Sequence, residues 1–148
     1  MSRPRQADAN TLRTLLQARD QATALELAEE LKVSRPTVSR LLTELGDEVV
    51  RIGAARQARY SLRRVVGTLG NSWPIHRVDG RGELQPAGRL EAVKGGFRLS
   101  EVPPILRKDY PEGFFSGLPF YFDDLRPQGF LGRVQTRRVA NTLGVSQD

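Results

Sequence analysis

The 148-residue chain is 39% hydrophobic and 27% charged, with 23 basic against 17 acidic side chains and a net charge of +6. This composition belongs to a globular protein of one medium or two small domains, and the positive balance favours a polyanionic partner. No apolar run approaches the ~18–20 residues that span a bilayer. The basic start "MSRPRQADAN" lacks the hydrophobic stretch of a signal peptide, and the absence of cysteine excludes disulfides and thiolate metal sites; a cytoplasmic protein without a membrane partner is expected.

Leu12, Leu15 and Leu16 fall at helical spacing and predict a first helix over residues 8–19, capped by Asp8 or Asn10. In "TALELAEEL", Thr23 and Glu26 have capping-box spacing, in which each side chain satisfies an orphan backbone donor. Ala24, Leu27, Ala28 and Leu31 then form one apolar face. Ser34 is a strong N-cap for a third helix, and Pro36 is tolerated in its first turn because its missing N–H would be unpaired there. Val38, Leu41, Leu42 and Leu45 repeat the apolar spacing, and Gly46 supplies the stop. Three short helices, the last two joined by about three residues, have the layout of a helix-turn-helix.

With the Val/Leu face of the third helix buried, Ser34, Arg35, Thr37, Ser39, Arg40 and Thr43 are left outward, mostly near the helix start. A recognition helix offers these positions to base edges in the major groove, where arginine pairs bidentately with guanine and Ser or Thr meets bases or phosphates. Beyond Gly46 the period changes to two. "EVVRI" and "ARYSL" are strand-like, bridged by "GAARQ", and a hairpin after a recognition helix is a wing. Arg56 at its tip and Arg59 on the return strand are placed to reach phosphates or the minor groove. Residues 34–66 hold seven arginines and three acids, four of the six net positive charges. A solvated basic surface or a protein-docking face is the alternative; segment order, arginine placement and charge together favour double-stranded DNA. The stretch "LELAEELKVSRPTVSRLLTELGDEVVRIGAARQARYSL" resembles the winged helix-turn-helix of many bacterial transcriptional regulators.

"VVGTLGNSW", residues 65–73, reads as a short linker or seam, dividing a first domain, 1–66, from a second, 67–148. "WPIHRVD", "ELQPAGRLEAVKGG" and "FRLSEV" have strand character, with Pro86 marking an edge or bulge. "VPPILRKDYPEGFF" is a proline-broken connection, and a last amphipathic helix is expected over about 129–143. The fold class is α+β, a winged helix-turn-helix followed by a small sheet with a helix packed on it. Chemistry is scarce here. His76 is the sole histidine, adjacent Asp123 and Asp124 cannot face each other across a substrate, and "GRG" lacks the spacing of a phosphate loop. No catalytic, cofactor or metal site is expected. Six aromatics (Phe114, Phe115, Phe120, Tyr121, Phe122 and Phe130) are many for a small domain; most belong in a core, with Phe120, Tyr121, Phe122 and Phe130 the candidates for a partner interface.

"GLPFYFDDLRPQGFLGR", preceded by "GRLEAVKGGFRLSEVPP", resembles the N-terminal subdomain of HipA-family serine/threonine kinase toxins, closest to the YjjJ branch, which joins such a segment to an N-terminal winged helix. The resemblance covers residues 67–145 and, with the winged helix, nearly the whole chain. It implies a toxin–antitoxin setting. It also implies a kinase core with a phosphate loop, an ATP lysine and catalytic and metal-binding aspartates, none of which has a counterpart before the final "NTLGVSQD". The expectation is therefore a non-enzymatic DNA-binding transcriptional regulator. Its second module would mediate contact with a second copy of the chain, or with a separately encoded HipA-like kinase or antitoxin. Two alternatives stay open: an N-terminal fragment of a HipA-like kinase, and an antitoxin masking such a kinase in trans.

Overall fold

The computed structural model describes residues 7–123. Helix α1 (Ala9–Ala18) starts at Asp8, whose carboxylate accepts from the Thr11 N–H. A two-residue strand β1 (Ala22–Thr23) leads into α2 (Ala24–Leu31), where Thr23 and Glu26 close the capping box in both directions. Lys32 ends α2 in the left-handed region, φ 54°, and returns its N–H to the Ala28 and Glu29 carbonyls. Helix α3 (Arg35–Leu45) follows at once, with Ser34 as N-cap, Pro36 in the first turn and Gly46 as C-cap at φ 53°. Leu12, Leu16, Leu27, Val38 and Leu41 are all fully buried where these helices meet. The apolar stripes expected from spacing are the packed faces.

Strands β2 (Val49–Ile52) and β3 (Arg59–Leu62) form the wing hairpin and, with β1, an antiparallel sheet in the order β1-β3-β2. Opposed residues share a face: Val49 with Leu62 and Arg51 with Tyr60 on one, Val50 with Ser61 and Ile52 with Arg59 on the other. Val49, Tyr60 and Leu62 cover the helical core. Val50 and Ile52 point away from it, yet both are buried.

Their cover comes from the second sheet, β4 (Ser72–Val78), β5 (Leu84–Val93), β6 (Gly96–Leu99) and β7 (Phe114–Phe115), antiparallel in that order. Val93 and Phe114 pack on Val50 and Ile52. Pro86 sits where the β4–β5 register shifts, with Ile75 opposite Gly88 and His76 opposite Pro86, so Ala87 is the extra residue of a bulge. The fourth strand, β7, pairs with β6 only because residue 96 is glycine: a Cβ there would lie 2.0 Å from the Phe115 carbonyl oxygen. Phe115 then stacks on Tyr110 with ring centroids 4.4 Å apart. A four-residue helical turn, α4 (Phe120–Asp123), closes the described chain. The helix expected over 129–143 lies outside the described residues.

Residues 65–73 form a tight turn, with the Val66 N–H on the Gly70 carbonyl (2.8 Å) and the Trp73 indole N–H on Leu69 O (2.9 Å). On either side of it the two sheets are bonded together. Arg63 bridges to Val93, the Lys94 N–H reaches Leu62 O (2.8 Å), and the Arg64 N–H reaches Ala92 O (3.1 Å). The fully buried Ser61 hydroxyl donates its single proton between the Asp20 and Lys94 carbonyls, at 2.7 and 3.2 Å. The wing sheet is thus the middle layer of three, helices on one face and the second sheet on the other.

Candidate nucleic-acid interface

The apolar side of α3 is spent on the core, with Val38 and Leu41 at 0% and Leu45 at 4% exposure. That rotation turns Arg35, Ser39, Arg40 and Thr43 to solvent. Ser34 and Thr37 are already engaged: the Ser34 hydroxyl accepts from the Thr37 N–H (3.4 Å) and lies 2.9 Å from the Thr37 hydroxyl. Ser34 is exposed and Thr37 half-buried, so the pair shapes the start of the helix as much as it presents groups to a ligand. Thr43 donates its hydroxyl to the Ser39 carbonyl (2.9 Å). Arg40 pairs with Glu44 one turn on at 3.5 Å, both side chains more than half exposed. Such a surface pair is worth little.

Arg56 lies in the single 3-10 turn Ala55–Gln57 at the wing tip, fully outward. Arg59 is exposed too, but it opens the return strand next to the tip, on the face turned toward the second sheet. There it lines a shallow groove with Arg19, Asp20, Gly95 and Phe114. The wing is braced from behind: a Cβ on Gly53 would lie 2.8 Å from a Glu112 carboxylate oxygen.

Two of the seven arginines in the basic segment serve a different purpose. Arg63 donates to the Asp47 carbonyl (2.6 Å) and to Glu91 (2.7 Å). Arg64 donates to the Val93 carbonyl (3.0 Å) and lies 4.7 Å above the Phe97 ring. Exposed Arg35, Arg40, Arg51, Arg56 and Arg59 carry the outward charge of that segment.

Two acids near this surface, Glu26 and Glu48, are held below the usual carboxylate range by donors. The Thr23 N–H and hydroxyl keep the Glu26 carboxyl below the usual range, helped by the charges of Arg19 and Arg59. The Arg13 guanidinium, donating two 2.7 Å bonds from α1, does the same for Glu48 beyond α3. Spacing within a helix could not reveal this clamp from α1 to the turn after α3, because its partners are 35 residues apart.

The candidate partner residues divide. Phe122 is half-buried against the cluster of Leu90, Leu99 and Phe115, and Phe120 is 53% exposed. Tyr121 lies in α4, and Phe130 falls outside the described residues. Phe122 also lines a groove of about 510 Å3 with Ile75, Pro86, Leu99, Val102 and Pro103. His76 is exposed on β4. Among the described residues no group of three or more His, Cys, Asp or Glu side chains is placed to hold a metal ion, and no helix is long and apolar enough to cross a membrane.

Comparison with known families agrees with this layout. A helix-turn-helix (HTH) domain family matches residues 9–60, and the family described as "YjjJ-like toxin, middle domain" matches residues 69–148. Toxin YjjJ of Escherichia coli (strain K12) is 38% identical over 127 residues, covering 84% of this chain and 27% of that protein. The chain therefore spans about a quarter of the length of this curated relative. No solved structure matches.

Proposed function

Because the chain belongs to the YjjJ-like toxin family, we propose that it is a DNA-binding transcriptional regulator tied to a toxin–antitoxin system, its second module docking a protein partner. The observation that carries this reading is the orientation of α3. Its aliphatic side is sealed into the helical core, while Arg35, Ser39, Arg40 and Thr43 face outward beside an exposed Arg56. In this reading α3 enters the major groove, Ser39, Thr43 and the arginines meet base edges and phosphates, and the wing contacts the backbone alongside. The N-terminus of α3 adds a favourable field for a phosphate.

Fluorescence anisotropy with duplex DNA across a salt series tests the reading. Each phosphate contact adds about −0.9 to the slope of log K against log salt. Arg40→Ala and Arg56→Ala should each weaken binding and flatten that slope by roughly one contact, with little change in melting temperature. Wild-type affinity in both variants would remove α3 and the wing from the interface.

A second reading is favoured by one observation, the 27% share of the relative that this chain matches. Here the chain is the DNA-reading and docking portion of a HipA-like kinase toxin, or an antitoxin that masks such a kinase in trans. Coexpression with the kinase portion of a relative decides between the readings. A stable complex that relieves toxicity supports masking; a complex that restores phosphoryl transfer supports the portion of a kinase; no complex leaves the regulator.

A further inference from the structure

Glu91 is the one buried charged residue among the described residues, 5% exposed near the C-terminal end of β5. Its cross-strand neighbour Arg98 donates to one carboxylate oxygen at 2.6 Å, which already balances the charge within the second sheet. The other oxygen receives Arg63, from the opposite module, at 2.7 Å. Arg63 acts as a fork. Its Nε donates to the Asp47 carbonyl at 2.6 Å, and its main-chain N–H donates to Glu48 O at 2.8 Å. Asp47 and Glu48 form the turn directly after α3, and Arg63 directly follows the return strand of the wing. One carboxylate therefore ties the second sheet to the C-terminal end of the recognition helix and to the root of the wing. Charge-assisted arginine contacts are stronger than neutral ones, and a planar guanidinium held at two separate acceptors has its orientation fixed as well.

We propose that Glu91 is a positioning residue for DNA binding: through Arg63 it fixes the angle at which α3 and the wing are presented from the second sheet. The apolar contact of Val50 and Ile52 with Val93 and Phe114 supplies the adhesion at this joint, but apolar contact is non-directional. The Glu91–Arg63–Asp47 chain supplies the direction. A partner that grips the second sheet thereby acts on the DNA-binding surface. This inference rests on the DNA-binding reading above.

The test compares the full chain with Glu91→Gln, which keeps the side-chain volume but removes the charge that holds both arginines. Without DNA, backbone amide exchange should quicken in Gly46–Glu48 and in the wing, Arg51–Arg59, while α1 keeps its protection. With DNA, affinity should fall about tenfold, equivalent to ~1.4 kcal/mol. The salt slope should lose about one phosphate contact as Arg56 disengages. Arg56→Ala should then cost nothing further in the Glu91→Gln background, since coupled residues are non-additive. Arg98→Met is the control. It removes the partner within the second sheet, leaves Arg63 on Glu91, and should lower stability while keeping wild-type affinity and slope.

Unchanged exchange, affinity and slope in a folded Glu91→Gln protein would overturn the proposal. So would equal losses of affinity in Glu91→Gln and Arg98→Met, which would make Glu91 a general stabiliser. Should Glu91→Gln fail to fold, Arg63→Lys takes its place with the same readouts, because it keeps a cation for Glu91 and lacks the second arm for Asp47. A wild-type chain without salt-dependent DNA binding sinks the DNA reading alone; the exchange comparison still decides the joint.

Discussion

At the scale of single residues, Lys32 and Glu26 show how far local chemistry shapes the reading head. Lys32 holds φ at 54° in the turn between α2 and α3, a conformation that costs an L-residue roughly 1–2 kcal/mol and costs glycine little. Lys32→Gly should therefore raise stability by up to ~1 kcal/mol once the looser unfolded chain is counted, read as a higher denaturation midpoint. Glu26 works in the opposite sense, through its charge. Its folded-state carboxyl is held low by Thr23. The stability it adds is therefore complete above its unfolded value and is lost as pH falls through the lower, folded value. Glu26→Gln should lower stability most at neutral pH and flatten the acid limb of the stability curve below about pH 4, where variant and wild type converge, measured by urea unfolding at stepped pH. Ser34→Ala removes a cap and should cost about 1 kcal/mol. Because Ser34 also faces the proposed groove, DNA affinity and melting temperature should fall together, unlike in Arg40→Ala.

At the scale of elements, the helices were legible because their signals are local. The Asp8 and Ser34 caps, the Thr23–Glu26 box and the Leu12–Leu16 and Val38–Leu45 spacings each depend on residues within one or two turns. The β4–β5 bulge was legible for the same reason, from Pro86 alone. What stayed hidden is non-local. Strand β1 is two residues long, and β7 exists through a main-chain approach across Gly96, which no periodicity encodes. Gly96→Ala should detach β7, loosen the Tyr110–Phe115 stack and cost about 1–3 kcal/mol, read from thermal melts. The candidate site followed the same division. The outward set on α3 follows from helical spacing, whereas Arg63 and Arg64 look no different in sequence from Arg56 or Arg59. Only the fold shows that the first two are consumed by the joint. One signal was available: Glu91 is a lone acid in the otherwise apolar "LEAV" run of a strand, a place where a charge needs a partner.

At the scale of the whole molecule, the wing sheet has no free face. Val50 and Ile52 are as buried as the helical core, although they point away from it. A chain cut after Val66 should fold less stably than the same residues within the full chain. Exposing each of those two side chains costs on the order of 1.5–3 kcal/mol, and Ser61 loses the Lys94 carbonyl. A lower urea midpoint for the shortened chain, with binding of an apolar dye, is the expected outcome; equal midpoints would mean that the first domain stands alone. Ile52→Ala in the full chain should cost about 3 kcal/mol, since it opens a cavity at the joint. The doubly covered wing also limits how this reading head can be reused. Transplanted onto another protein, it would carry an oily back that invites aggregation. A successful graft must either bring Val93 and Phe114 with it or repaint Val50 and Ile52 with polar side chains.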